Sequence, residues 1–351
     1  MRVFFYIPTL NAGGAEKQCA LLASALKRDF GHDVSIILDR GECVKTTNRA
    51  ILDSAGVATV GLPRGRIKSL FSLYKLFSHN RDAVLFTLLT RPNFVGGFVA
   101  RVAGLKNVYG GIRCGAFPWW KFCLELVANR VLDKETIFNS RRAYNFFCGR
   151  GFKRAKCRVI SNAFLPYPVE RRSSDGFITI STVGRFTPEK DYDTWLRVAK
   201  VVKNSCDRVR FLIEGCGKGE PEVRHLISVL GLQKNVTLLP GDFDVNEVLA
   251  QTDIYLSTST SEGVSNAILE AMNAGLPVVA TDVGDNNIMI EEGRSGFILG
   301  VRAVEGLSAA VVRLAHDASR RMAFGQRARE ILAERYSIRQ VVRLYHNAIE
   351  G

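Results

Sequence analysis

Short apolar runs rich in β-branched and aromatic residues alternate with helix-length stretches along this whole chain, and that alternation constrains the fold more than any other feature. Val3-Phe4-Phe5-Tyr6-Ile7 is followed by Pro8-Thr9-Leu10-Asn11-Ala12-Gly13-Gly14, by a helical stretch from about 15 to 28 and, after Gly31, by Asp33-Val34-Ser35-Ile36-Ile37-Leu38. Strand, crossover helix and second strand make one βαβ unit. Further strands are expected at Val84-Leu85-Phe86, Asn107-Val108-Tyr109, Thr136-Ile137-Phe138 and Cys157-Arg158-Val159-Ile160, with helical stretches between them. Such an order means a parallel sheet covered by helices.

The second half repeats the pattern independently. Strands are expected over 177–183, 210–213, 236–239, 254–256, 277–280 and 296–299, with helices near 191–203, 219–230, 265–274, 303–315, 319–333 and 338–349. At 351 residues the chain exceeds what one core supports, so it divides into two doubly wound α/β domains of Rossmann type. The expected boundaries are 1–165 and 166–336, parted at the Pro-containing stretch 162–168, with a last helix over 337–351 returning to the first domain. Two such domains facing each other place the carboxyl ends of their strands, and hence their ligand loops, along a cleft.

Charge separates the halves. Residues 1–165 hold 26 Lys/Arg against 10 Asp/Glu, whereas 166–351 hold 22 against 24. A field of one sign implies an anionic partner. Arg64, Arg66, Lys68 and Lys75 are interleaved with Leu70, Phe71, Leu73, Leu76 and Phe77, the pattern of a basic amphipathic helix at an anionic membrane surface. An ordinary surface helix with its apolar stripe on the core has the same pattern. A second basic cluster spans Arg141 to Arg158. Nucleic acid is not expected, because no basic-aromatic recognition motif occurs and the second half is slightly acidic. The eight cysteines form no Cys-x-x-Cys pair and no grouping with histidine, which argues against zinc and a disulfide framework. Arg91 and Arg101 interrupt the longest apolar tract, so no spanning helix is expected, and the first apolar run is too short for a signal peptide. These readings place the chain in the cytoplasm, peripheral on the inner face of the cytoplasmic membrane.

The chemistry concentrates in Ser261-Glu262-Gly263-Val264-Ser265-Asn266-Ala267-Ile268-Leu269-Glu270-Ala271-Met272. Glu262 sits at a glycine-containing turn, and Glu270 lies inside an apolar helical run, where an ionised side chain is costly unless something polar meets it. First-turn amides of Val264, Ser265 and Asn266 suit a phosphate, Glu270 a ribose diol and Glu262 sugar hydroxyls. A structural pairing with arginine stays open for Glu270, as does a simple helix-start charge for Glu262. Glycine loops follow several strands: Gly13-Gly14 opens the first helix, and Gly215-Cys216-Gly217 follows Ile213-Glu214. Each suits close approach of a phosphate, and each also suits a merely geometric turn. Gly184-Arg185-Phe186-Thr187-Pro188-Glu189-Lys190 adds two cations in the loop after a buried strand, where they can neutralise a departing diphosphate.

Taken in order, Gly13-Gly14-Ala15-Glu16, Gly184-Arg185 with Glu189-Lys190, Glu214-Gly215-Cys216-Gly217, Asn235-Val236 and Glu262-x7-Glu270 followed by Gly275-Leu276-Pro277 resemble the retaining glycosyltransferases of family 4, which have the GT-B fold. The resemblance runs from residue 3 to the end and is strongest over 180–300. It implies that Arg185 and Lys190 hold and stabilise the donor diphosphate, that Glu270 binds the ribose, and that Glu262 contacts the donor sugar. It further implies that Gly184, Gly215, Cys216, Gly263, Val264, Ser265 and Asn266 line the donor, that Val236, Asp242 and Phe243 flank the base, and that Gly13 and Gly14 close on the diphosphate from the first domain. Many relatives carry a histidine in the segment that corresponds to 109–118; Arg113 stands as the candidate there, on the acceptor or sugar side. The implied donor is a nucleotide-diphosphate sugar, a UDP-sugar ahead of a GDP-sugar, with no other cofactor and no metal.

Two Asp-x-Asp strings, Asp191-Tyr192-Asp193 and Asp242-Phe243-Asp244, offer the alternative of a divalent ion on the diphosphate. The implied acceptor is a hydroxyl of a lipid-linked or phosphorylated saccharide in bacterial surface polysaccharide or lipopolysaccharide assembly. Competing readings are a nucleotide-sugar epimerase or phosphorylase of the same architecture, and a basic membrane-binding module without catalysis.

Overall fold

The computed structural model describes residues 1–11, 13–39, 44–113, 115, 118–171, 176–241 and 243–351, in two units: Met1–Leu165 with Tyr336–Gly351, and Pro166–Arg335. Unit 1 runs β1 (Arg2–Ile7), α1 (Gly14–Phe30), β2 (Asp33–Leu38), α2 (Thr46–Ser54), β3 (Ala58–Gly61), α3 (Arg66–Ser78) and β4 (Val84–Leu88). A π-helical turn, Pro92–Gly96, then leads into α4 (Gly97–Val102), β5 (Asn107–Ile112) and α5 (Trp119–Val127). A second such turn, Ala128–Leu132, precedes β6 (Glu135–Phe138), α6 (Arg141–Cys148) and β7 (Cys157–Val159). All seven strands are parallel, in the order β3-β2-β1-β4-β5-β6-β7.

β1 shows why its sequence is continuously apolar. Val3, Phe5 and Ile7 point into a core shared with α1, while Phe4 and Tyr6 point to the opposite face, among Leu73, Phe77, Val99 and Ala100. A strand covered on both faces has no polar side to show. β3 departs from the expectation, which had no strand there. Ala58-Thr59-Val60-Gly61 is a short edge strand with little apolar content, and its pairing with β2 rather than its composition makes it a strand. Gly31 ends α1 in the left-handed conformation (φ 67°), so that its N–H reaches the carbonyl of Lys27 and the chain turns back into β2.

Unit 2 comprises β8 (Ile178–Val183), α7 (Tyr192–Ser205), β9 (Val209–Gly215), α8 (Glu220–Val229), β10 (Val236–Pro240), α9 (Val245–Ala250), β11 (Ile254–Ser257) and α10 (Asn266–Asn273). It continues through β12 (Val278–Thr281), α11 (Asn286–Met289), β13 (Gly296–Leu299), α12 (Val304–Ala315) and α13 (Ala318–Arg335). Its parallel sheet has the order β10-β9-β8-β11-β12-β13 around a core containing Trp195, Phe211, Ile213, Val279 and Leu307.

The last helix, α14 (Ile338–Glu350), belongs to unit 1. Phe164 N–H donates to the Tyr336 carbonyl (2.7 Å) and Ile338 N–H to the Phe164 carbonyl (3.0 Å), bringing the returning chain beside the departing one. Ile338, Val341, Val342, Tyr345, Ala348 and Ile349 complete the α1 core. At roughly 1.5–3 kcal/mol for each large apolar side chain, this burial outweighs the polar contacts of α14, each worth about 1 kcal/mol. Among those contacts, His346 Nδ1 meets His32 Nε2 at 3.0 Å, with Phe30 stacked on His346 at 4.1 Å.

Burial first, then the nearby N-terminal ammonium and His346, lowers the His32 pKa. The native state therefore favours neutral His32, and its contribution is complete above the ordinary value near 6.5 and is lost as pH falls through the lowered one. The buried acids Glu125 and Asp133, both pushed up to about 7 by desolvation, act in the opposite sense. Comparison with His32→Gln cancels them. Between pH 7.5 and 5.5 the wild type should lose more in Tm than His32→Gln by differential scanning fluorimetry. Parallel curves would refute this role of the histidine pair.

Candidate active site

Both sheets reverse their strand order once. In unit 2 the chain steps outward through β8, β9 and β10, then resumes on the other side of β8 with β11. The loops leaving β8 and β11 therefore diverge, and the crevice they leave is where open α/β sheets take ligands.

The loop after β8 carries Gly184, Arg185 and a 3₁₀ turn at Pro188–Lys190; the loop after β11 carries 258–262. Backbone and hydroxyl contacts bind one loop to the other. Thr258 Oγ1 donates to the carbonyls of Lys190 (3.1 Å) and Asp191 (3.0 Å), and Thr260 N–H donates to that of Glu189 (2.8 Å). Lys190 Nζ is thereby set 2.5 Å from Glu262 Oε1, which also accepts from Ser259 Oγ at 2.9 Å. The two charged side chains are 21% and 15% exposed, so each is partly desolvated and depends on the other. Asp191 holds the turn from behind. It adopts the left-handed conformation (φ 50°), at a cost of about 1 kcal/mol for a non-glycine residue, and its carboxylate caps α7 by accepting from Thr194 N (3.3 Å) and Oγ1 (2.7 Å). Arg185 is the open cation of this loop, 65% exposed and 3.9 Å from Glu189.

The glycines serve close packing between loops. A Cβ on Gly215 would stand 2.1 Å from the Gly184 carbonyl, and Gly217 (φ 139°) lies against the backbone of Phe186. Cys216 is exposed, and its carbonyl accepts from Phe186 N–H at 2.8 Å. The Gly215-Cys216-Gly217 loop thus lies directly against the Arg185 loop. Tyr192 Oη fixes Gly184 further by donating to its carbonyl at 2.8 Å.

α10 starts at the same crevice. Ser265 caps it, accepting from Ile268 N–H at 3.5 Å, beside buried Val264 and the first helical residue, Asn266. The Gly263 carbonyl accepts from Asp285 N–H (3.0 Å), with Gly284 pressed against it. Glu270 is buried within α10 at 9% exposure. Burial raises the pKa of Tyr167 and Tyr255, and the Glu270 charge raises both further.

Not every expected residue comes to this crevice. Val236 is the first residue of β10, buried opposite Phe211, while the ligand edge of that strand is at Pro240. Four residues at about 3.3 Å each separate it from that edge, so Val236 is a core residue and leaves the site. Phe243 lies in the turn after β10, where its N–H donates to the Pro240 carbonyl at 2.9 Å. Asp242 lies outside the described residues. The remaining acids of the Asp-x-Asp strings are engaged: Asp193 with Arg197 (2.8 Å) and Asp244 in capping α9 through Asn246 N–H (2.9 Å).

In unit 1 the order reverses between β1 and β4. Gly13 precedes α1, and Gly14 is its first residue; a Cβ on Gly13 would stand 2.0 Å from Glu16 Oε2, so the Glu16 carboxylate folds over this helix start. Arg113 follows β5, but its guanidinium turns inward, donating to Asn162 Oδ1 (3.1 Å) and Tyr345 Oη (2.6 Å). Its Nε is buried and has no partner among the described residues. It ties the sheet edge to α14. The reading of the sequence missed Tyr6, Asp39 and Arg91 at the switch point: Tyr6 Oη donates to Asp39 Oδ1 at 2.6 Å, and Arg91 Nη1 lies 2.9 Å from Asp39 Oδ2. Leu89, between β4 and Arg91, has φ 77°. A tyrosine inside an apolar strand and charges placed just after strand ends were the available signals.

Residues 168–331 match the family described as glycosyl transferases group 1. The chain is 24% identical over 277 residues to the Escherichia coli UDP-Gal:alpha-D-GlcNAc-diphosphoundecaprenol alpha-1,3-galactosyltransferase, covering 72% of this chain and 71% of that one. An uncharacterized glycosyltransferase of Haemophilus influenzae is 24% identical over 350 residues, 97% of both chains. Among solved structures, Anabaena Alr3699/HepE in complex with UDP and glucose superimposes with a TM-score of 0.85 at 17% identity, covering 100% of each chain. The match of residues 168–331, nearly all of unit 2, and the shared architecture of two parallel-sheet units lead to one conclusion: the chain has the GT-B fold, and its second unit is similar to the glycosyl transferases group 1 family.

Proposed function

We propose that the protein transfers a sugar from a nucleotide-diphosphate sugar, a UDP-sugar first, to a hydroxyl of a saccharide acceptor with retention of anomeric configuration. The observation that carries this reading is the Lys190–Glu262 pair, set at the switch point by two mutually bonded loops. The pair holds a basic and an acidic side chain together at 2.5 Å while both are partly desolvated. A bound sugar diphosphate exchanges that contact for two others: phosphate oxygens take Lys190 and Arg185, and sugar hydroxyls donate to Glu262.

As the glycosidic bond breaks, negative charge grows on the diphosphate and positive charge on the sugar ring. Lys190, Arg185 and the amides of Val264, Ser265 and Asn266 stabilise the former, without a metal ion. Glu270 accepts from the ribose hydroxyls, Phe243 flanks the base, and Gly184, Gly215, Cys216 and Gly263 allow close approach of the donor. The leaving phosphate itself accepts the acceptor's proton on the same face, so no separate general base is required. The acceptor is a lipid-linked or phosphorylated saccharide of bacterial surface polysaccharide assembly, a reading supported by the diphosphoundecaprenol acceptor in the name of the Escherichia coli relative and by the excess of basic residues in unit 1. That excess also supports peripheral association with the anionic inner face of the cytoplasmic membrane.

Three measurements test this reading. In a thermal-shift panel of UDP-, GDP-, ADP- and CMP-sugars, one UDP-sugar should raise Tm most, and its gain should disappear in Glu270→Ala. A panel without any shift would remove the donor assignment. Replacing Arg185 and Lys190 together by alanine should lower kcat by about 10²–10³-fold, on the order of 3 kcal/mol of transition-state stabilisation; full turnover would sink their role. NMR of the product formed from an α-linked donor should show an α-linkage, whereas a β-linked product would exclude the retaining pathway.

A further inference from the structure

Eleven of the nineteen large apolar side chains exposed among the described residues fall between Ile67 and Val131. They are not scattered over the surface. α3 buries Ser69, Leu73 and Phe77, one stripe at helical spacing, against the sheet. An ordinary surface helix would be polar on the opposite side. Here Ile67 is 84% exposed and Phe71 68%, with Leu70 and Tyr74 beside them. α4, which packs against α3, exposes Phe98 and Val102. The Ala128–Leu132 turn packs against α4 in its turn and continues α5, whose first residues Trp119 and Trp120 are 78% and 50% exposed. α3, α4 and the α5 turn therefore cover one side of the unit 1 sheet, opposite α1 and α14, and all present apolar groups outward.

The charge on this side is nearly all of one sign. From 54 to 132 the only acids are Asp82 and Glu125, and Glu125 is buried. Arg64, Arg66, Lys68, Lys75 and Lys121 stand among the apolar groups, with Lys121 Nζ 5.3 Å from the Trp120 ring. Exposed aromatic and aliphatic side chains with interspersed cations and scarcely an anion suit the boundary between lipid head groups and acyl chains. A protein partner of ordinary surface composition would leave these cations unmatched, and a second copy of the same face would set cation against cation.

We infer that the outer face of α3, α4 and α5 is the surface by which this protein docks on an anionic bilayer, with Ile67, Phe71, Tyr74, Phe98 and Trp119 entering the interface and the basic residues meeting lipid phosphates. The inference rests on the membrane association proposed above and assigns it to one face. It differs from adhesion by charge alone in a measurable way, because inserted apolar groups keep part of the binding at high salt.

The test is vesicle co-sedimentation of the full chain with 70:30 phosphatidylcholine:phosphatidylglycerol and with pure phosphatidylcholine, at 0.05 and 0.5 M NaCl. The wild type should bind the anionic vesicles at both salt concentrations, and the triple variant Phe71→Ser/Tyr74→Ser/Trp119→Ser should partition at least tenfold more weakly. Arg66→Glu/Lys68→Glu/Lys75→Glu should lose binding mainly at low salt. All three sites are solvent-exposed in the apolar variant, so its Tm and its thermal response to UDP-sugar should match the wild type. If the wild type binds and the triple serine variant binds equally well at both salt concentrations, this face is not the docking surface, although the membrane reading stands. If the wild type binds neither vesicle, both fail. Self-association in sedimentation velocity that the triple variant abolishes, without vesicle binding, would assign the face to a second copy and overturn the inference.

Discussion

The reversal of strand order between β8 and β11 is the constraint on which the candidate site depends. A parallel sheet sends every loop from one edge, and neighbouring loops ordinarily crowd one another. Only where the chain changes side do two adjacent strands send their loops apart. Lys190 follows one of these strands and Glu262 the other, 72 residues later in sequence. Their proximity is a property of topology rather than of local sequence, and the threonines of the β11 loop convert it into a fixed distance. Glycine at 215 and 217 is needed because the loop after β9 lies backbone to backbone against the loop after β8.

Much of the fold was legible because both sheets are covered on both faces, so that strands such as Phe4-Phe5-Tyr6-Ile7 and Val278-Val279-Ala280 are apolar without interruption. β3 escaped because an edge strand of Ala, Thr, Val and Gly has no such mark. Glu270 was noticeable as an acid in an apolar helical run and Glu262 as an acid at a glycine-containing turn, yet sequence assigns no partner to either. Lys190 as the partner of Glu262 needed the fold, as did the inward turn of Arg113 toward Tyr345. Val236 was misplaced for a related reason: a motif gives position along the chain, while the end of the strand on which a residue lies decides whether a ligand can meet it. Tyr6, Asp39 and Arg91 come from three separate segments, and only sheet order brings them together.

Unit 1 contrasts with unit 2 in how it handles charge. Unit 2 pairs many of its charged groups: Arg327 and Arg335 both bind Glu291, whose carboxyl is held near 2 chiefly by Arg327. Unit 1 buries Glu125 and Asp133 with hydrogen-bonding neighbours, Asn93 for the one and Thr136 for the other, and turns Arg113 inward. Low exposed acid content and outward-facing aromatics therefore coincide on α3, α4 and α5. The basic excess read from composition has a location.

The parallel contact between Phe164 and Ser337 gives the chain a particular order of assembly. Unit 2 is one continuous segment and holds all of its own core. Unit 1 is interrupted by it, and α14 supplies Val342, Tyr345 and Ile349 to a core that otherwise comes from the first 165 residues. During synthesis, the first unit must wait with the part of its sheet that α14 covers, beside α1, left bare while the second emerges and closes upon itself. The half that is made first is completed last.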